Sequence, residues 1–177
     1  MRARKALTAV LCCVVCPAMA QDVPEWLQRS ELRAHERLLD RIGDVSSRQL
    51  MPFTTDGCSG GLSWAWTHLT TVFPTLAEPD GEPPPWELCC VAHDRAYHDV
   101  TGARSAEDSY QARLIADREL QLCVTQTADL KPEVDRRWGM TDAMYERLGE
   151  TMFWAVRFGG GPCTGLSWRW GYGFEDC

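Results

Sequence analysis

Two adjacent cysteines, Cys89 and Cys90, head a stretch that continues Val91-Ala92-His93-Asp94-Arg95-Ala96-Tyr97-His98. A histidine and a carboxylate side by side behind two cysteines suggest a disulfide-clamped helix that presents a base and a metal ligand. Pro83 to Pro85 serve as a helix start and Gly102 as a stop, so a helix of about four turns is expected from about Trp86 to Thr101. Cys89, His93 and Tyr97 then recur every four residues on one face, with Asp94 about 100° round the axis from His93. One pocket could receive both side chains.

Cysteines mean different chemistry inside and outside a cell, and residues 1–20 read as a signal peptide. Arg2, Arg4 and Lys5 form a basic start, Ala6 to Cys16 an apolar run too short to span a bilayer, and Ala18-Met19-Ala20 a cleavage site before Gln21. A lipid-attachment site at Cys16 is the competing reading, disfavoured because Val15 stands where a small residue is expected. The expected product is a secreted or periplasmic domain of residues 21–177. Cleavage removes three of the nine cysteines and leaves Cys58, Cys89, Cys90, Cys123, Cys163 and Cys177, an even number, as an exported disulfide framework requires. It also removes three of the 18 basic side chains, leaving 15 against 25 acidic ones and a formal charge of −10. Nucleic acid is not an expected partner of such a chain.

Apolar periodicity predicts four helices and no convincing strand, hence an all-α class. The first, Pro24 to Ile42, is charged on one side, carries Trp26, Leu32, Leu39 and Ile42 among its apolar residues and is closed by Gly43. The second is the motif helix. The third opens at Ser105 with Asp108 three residues on, a relative of the capping box, and runs to about Thr125. The fourth, about Thr141 to Phe158, has Met144, Leu148, Met152 and Ala155 at helical spacing before Gly159-Gly160-Gly161. Phe53 to Pro85 form a long connection rich in Gly, Pro and Thr.

The third helix carries a second piece of chemistry, Asp117, six residues before Cys123. Were Cys123 bonded to Cys89 and the two helices antiparallel, as their short connection favours, Cys123 would lie about one and a half turns beyond Asp117 and Cys89 about one turn before His93. Asp117 would then face His93. A carboxylate on one imidazole nitrogen fixes the tautomer and leaves the other nitrogen free to take a proton.

These residues resemble the secreted phospholipase A2 family. Its Cys-Cys-x-x-His-Asp-x-x-Tyr run matches Cys89, Cys90, His93, Asp94 and Tyr97; its Asp-Arg-x-x-x-x-Cys run matches Asp117, Arg118 and Cys123; its glycine-rich calcium loop is similar to Asp56-Gly57-Cys58-Ser59-Gly60-Gly61. The resemblance covers about Phe53 to Cys123. It implies a disulfide-bonded fold with two antiparallel core helices and a calcium loop. Further implications are His93 as the water-activating base, Asp117 as its orienter, Tyr97 hydrogen-bonded to Asp117, and Ca2+ held by Asp94 and the carbonyls of Gly57, Ser59 and Gly61. The implied disulfides are Cys58 to Cys90 and Cys89 to Cys123, leaving Cys163 for Cys177. Ala96 and Ala116 stand where the family has the two cysteines of a further bridge, both absent together, and the segment between the second and third helices is too short for the family's two-stranded wing. A compact or bacterial-type member is the nearer likeness. Ser59 stands where the family prefers glycine.

The implied reaction is calcium-dependent hydrolysis of the sn-2 fatty acyl ester of a phospholipid, at a membrane or micelle surface. The alternative is a catalytically silent binding module built on the same frame, which Ser59 keeps open; a structural protein bearing a coincidental motif is a weaker third reading. Among eight tryptophans, Trp64, Trp66, Trp168 and Trp170 are candidates for a lipid interface or, equally, for an aromatic core. His98 lies off the motif face, His35 and His68 show no partner in the sequence, and none of the three is assigned a function.

Overall fold

The computed structural model describes residues 23–43, 50–55, 57–58, 84–130 and 140–177. Four helices account for most of them: α1 (Glu25–Gly43), α2 (Glu87–Asp99), α3 (Ala106–Leu130) and α4 (Asp142–Gly159), with a short 3-10 turn at Val100–Gly102. No strand occurs among the described residues. Pro24 starts α1 by accepting at its carbonyl from the amides of Leu27 and Gln28, and Ser105 caps α3 by accepting from the Asp108 amide at 3.0 Å.

Helix α3 is the spine. Tyr97 meets Arg113, His93 meets Asp117, and Cys89 is bonded to Cys123, so α2 runs antiparallel to α3 as the spacing predicts. Glu31 opposite Arg113 and His35 opposite Ser109 set α1 antiparallel to α3 as well. The most extensive packing is between α3 and α4. Gly149 allows it, because a Cβ there would lie 2.8 Å from the Gln121 carbonyl oxygen.

The observed disulfides are Cys58–Cys90, Cys89–Cys123 and Cys163–Cys177, the three pairs that the resemblance implies. They belong to an oxidising compartment. Two of them fix α2, one to the segment at Gly57 and Cys58, the other to α3. Ala96 and Ala116 pack in one apolar cluster with Leu38, Tyr97, Val100 and Trp170.

One expectation is corrected, and two open readings are settled. The third helix continues to Leu130, five residues past Thr125, because Val124 and Ala128 extend its buried face, and that packing outweighs the low helix propensity of the threonines. The buried face of α1 comprises Leu27, Glu31, His35 and Leu38, whereas Trp26 is 63 % exposed. Trp170 is fully buried, donating its indole N–H to Ser109 Oγ at 2.9 Å, and so belongs to the core and not to a lipid interface. Trp168 is partly buried. Trp64, Trp66 and His68 lie outside the described residues, as do residues 1–20 and most of the connection from Phe53 to Pro85.

The C-terminal segment closes the frame over α2. Gly171 N donates to Tyr97 O and Gly173 N to His98 O, while Met51 N donates to Gly173 O. Tyr172 Oη donates to Thr54 O at 2.7 Å, and a His98 ring nitrogen lies 2.8 Å from Met51 O. Residues 50–55 are thereby clipped beside the motif helix. His98, off the motif face in the sequence reading, is one of the clips.

Candidate active site

Helical spacing sets Cys89, His93 and Tyr97 on the buried face of α2, at 5 %, 8 % and 2 % exposure. Asp117 projects from the facing turn of α3 and is wholly buried. Its Oδ1 lies 2.9 Å from His93 Nε2 and 2.6 Å from Tyr97 Oη. An ionised carboxylate only accepts, so Nε2 carries the proton that it donates to Asp117, and Nδ1 is left as the bare, proton-accepting nitrogen.

The second oxygen of Asp117 is also engaged. Arg157 Nη1, from the last turn of α4, donates to Oδ2 at 2.8 Å. Its Nη2 donates to Glu31 Oε2 of α1. Arg113 Nε donates to Tyr97 Oη at 3.0 Å, so the single phenolic proton is directed to Asp117. Arg113 Nη2 donates to the carbonyls of Val156 and Arg157, both at 2.8 Å, and closes the end of α4. Gly160 makes room for this junction: a Cβ there would stand 2.7 Å from Tyr97 Cε1.

These contacts set the proton affinities. Burial pushes His93 down, but the hydrogen bond to Asp117 and the negative charges of Asp117 and Asp94 outweigh it, and the imidazole stands above its ordinary value. Burial pushes Asp117 up; the His93 hydrogen bond and the Arg113 and Arg157 guanidiniums overcome it and hold the carboxyl below the usual range. Burial drives the Tyr97 phenol well above its ordinary value, so it stays a donor.

Asp94 stands beside the dyad and is not part of it. Its Oδ1 is 4.0 Å from His93 Nδ1, and its side chain is 20 % exposed. Thr55 Oγ1 donates to Asp94 Oδ2 at 2.6 Å and accepts from Gly57 N at 3.0 Å, which ties the start of the loop segment to the motif helix. Gly57 has φ +65°, in the left-handed region, and the Glu87 carboxylate lies where its Cβ would be. Glu87 Oε2 accepts from Cys58 N at 3.1 Å. Of the expected metal-site residues, the structure therefore brings Asp94 and Gly57 to neighbouring places; Ser59 and Gly61 lie outside the described residues. No group of three or more His, Cys, Asp or Glu side chains that could hold a metal occurs among the described residues. The donor set implied here is one carboxylate with backbone carbonyls, which such a cluster does not represent. All six cysteines of residues 21–177 are in disulfides, so no thiolate is available, and the Asp94 carboxylate with backbone carbonyls is a hard-oxygen set that fits calcium.

Compared with known protein families, curated proteins and solved structures, the chain matches none. The case for the site therefore rests on its own geometry.

Four residues of the site, Arg113, Arg157, Glu31 and Thr55, carry no motif. The first three lie on the buried faces of their helices, where other helices supply their partners. An open depression on α2, lined by Leu88, Val91, Ala92, Arg95 and Asp99, lies on the side turned away from His93 and includes none of the dyad.

Proposed function

We propose that this chain hydrolyses a fatty acyl ester of phospholipids, the sn-2 ester by its likeness to secreted phospholipases A2, with His93 as general base. The observation that supports this reading best is the buried chain Tyr97 Oη to Asp117 to His93 Nε2, which leaves His93 Nδ1 as acceptor 4.0 Å from the Asp94 carboxylate. His93 Nδ1 takes a proton from water as the water oxygen attacks the ester carbonyl, and returns it to the leaving alcohol oxygen. Asp117 keeps Nε2 protonated throughout and balances the imidazolium that forms. Calcium, held by Asp94 and the loop carbonyls that begin at Gly57, would supply positive charge for the phosphate and the developing oxyanion. Export through residues 1–20 and action at a membrane or micelle surface complete the reading. No described helix is long and apolar enough to cross a membrane.

Thr55 gives the alternative a specific footing. Its hydroxyl occupies Asp94 Oδ2 at 2.6 Å, a contact that a silent binding module would retain. Release of fatty acid from mixed phosphatidylcholine and phosphatidylglycerol vesicles, with calcium or with chelator, decides between the two. Calcium-dependent release is expected. Hydrolysis undiminished by chelator would refute the calcium assignment, and no release under any condition would leave the binding module as the reading.

A further inference from the structure

We propose that Arg157 and Glu31 are positioning residues of the dyad: Arg157 holds the second oxygen of Asp117 and Glu31 holds the far edge of Arg157, so that Asp117 has one orientation to offer His93. This inference rests on His93 acting as the base. A carboxylate with one free oxygen can turn about its Cβ–Cγ bond and exchange its oxygens. Such a turn would draw Oδ1 away from both His93 and Tyr97. With Oδ2 accepting from Arg157 Nη1 at 2.8 Å, the turn breaks three hydrogen bonds at once.

Arg157 is itself held at both ends. Nη1 goes to Asp117 on α3 and Nη2 to Glu31 on α1, so one planar guanidinium from α4 registers three helices against one another. Arg113 runs alongside, with Nη1 3.4 Å from Glu31 Oε2 and Nε on Tyr97 Oη. Two guanidiniums and two carboxylates give a cluster with no net charge while His93 is neutral, and all four side chains are buried.

Stability is a weak account of this arrangement. Buried ion pairs are often matched or bettered by apolar side chains of similar volume, because desolvation offsets the attraction. Met152, Phe153 and Leu148 show that α4 can present such side chains to the same core. What an apolar pair cannot do is hold a carboxylate ionised and fixed under an imidazole.

The test is a double-mutant cycle joined to a spectroscopic reading. Arg157→Met keeps length and removes the donor; turnover should fall about 10- to 100-fold, the range for residues that orient a site through another, with KM changed less than about threefold. Arg157→Lys should recover part of the loss. In an Asp117→Asn background the Arg157→Met loss should shrink to less than about threefold, because the residue acts through Asp117. Nitrogen NMR of labelled His93 should show one tautomer, Nε2–H, in the unsubstituted protein and a mixture in Arg157→Met. This second reading needs no turnover, so it separates failure of the positioning role from failure of the hydrolase reading. Where Arg157→Met does not fold, Glu31→Gln, which keeps one acceptor oxygen and replaces the charged carboxylate by a neutral amide, should lower turnover about threefold or more and lose that effect in Asp117→Asn. Full additivity with Asp117→Asn, or a lowered melting temperature with unchanged turnover and tautomer, overturns the proposal.

Discussion

At the scale of residues, the proposed chemistry turns on Asp117, because three donors converge on its two oxygens and only one of them is His93. His93→Gln removes the proton acceptor with little change in volume, and turnover should fall about 10²- to 10⁴-fold. Asp117→Asn keeps the shape but lets the amide donate where only acceptance is wanted, and a smaller loss is expected. Calcium affinity, read by calorimetry, should survive both. Asp94→Lys should abolish it together with turnover. Wild-type turnover in His93→Gln would end the catalytic reading. The residues of this constellation that were legible in the sequence are those set by short-range spacing: His93, Asp94 and Tyr97 share one helix, and Asp117 has a fixed offset from Cys123. Glu31 and Arg157 were not legible, since a charged residue within a charged helix reads as solvated until its neighbours across three helices are known.

At the scale of elements, α4 approaches the backbone of α3 closely at Gly149. On an exposed helix face Gly→Ala adds about 1 kcal/mol of stability through backbone entropy. Here the new Cβ would meet the Gln121 carbonyl oxygen and Thr125 Oγ1, each at 2.8 Å, and a backbone carbonyl cannot swing aside. Overpacking of that kind costs typically about 1–3 kcal/mol, so the net sign is destabilising. Urea unfolding of Gly149→Ala should show a lowered midpoint; a raised one would mean that the two helices do not approach as described. Helix existence and the α2 to α3 register were legible, because apolar spacing and cysteine offsets are local quantities. The face of α1 was legible only in part: Leu32 and Ile42 pack against core clusters, yet the fully buried stripe is Leu27, Glu31, His35 and Leu38, half of it polar. Polar residues enter a core only with partners, and those partners, Ser109, Arg113 and Arg157, lie 74 to 126 residues away.

At the scale of the molecule, polar residues run through the helical core from His35 and Ser109 past Glu31, Arg113 and Arg157 to Asp117, and His35 makes that core acid-sensitive. A His35 ring nitrogen, Nδ1, lies 2.8 Å from Ser109 Oγ, and the side chain is fully buried. Burial first, and then the Arg113 and Arg157 charges, push its pKa down to about 3. Unfolded, the same imidazole titrates near the ordinary value of about 6.5. Between those two values the unfolded chain binds a proton that the folded chain refuses, so His35 contributes stability that is present above about pH 6.5 and is lost as pH falls toward 3. The slope approaches about 1.4 kcal/mol per pH unit, which from pH 7 to 4.5 amounts to roughly 2–3 kcal/mol. That is a large share of a typical domain's stability of about 5–15 kcal/mol. The depressed Asp117 carboxyl adds acid sensitivity of the same sign below the ordinary carboxylate range, whereas His93 and Glu31, both raised, act with the opposite sign between pH 7 and 4.5, so His35 is isolated by comparison with a variant that keeps all three. His35→Gln has no proton to gain. Its urea midpoint should therefore be lower than wild type at pH 7 yet fall less between pH 7 and 4.5, by an amount equivalent to roughly 2 kcal/mol. Equal falls in the two proteins would show that His35 is protonated in the folded state, and the buried neutral imidazole at the centre of the bundle would have to be given up.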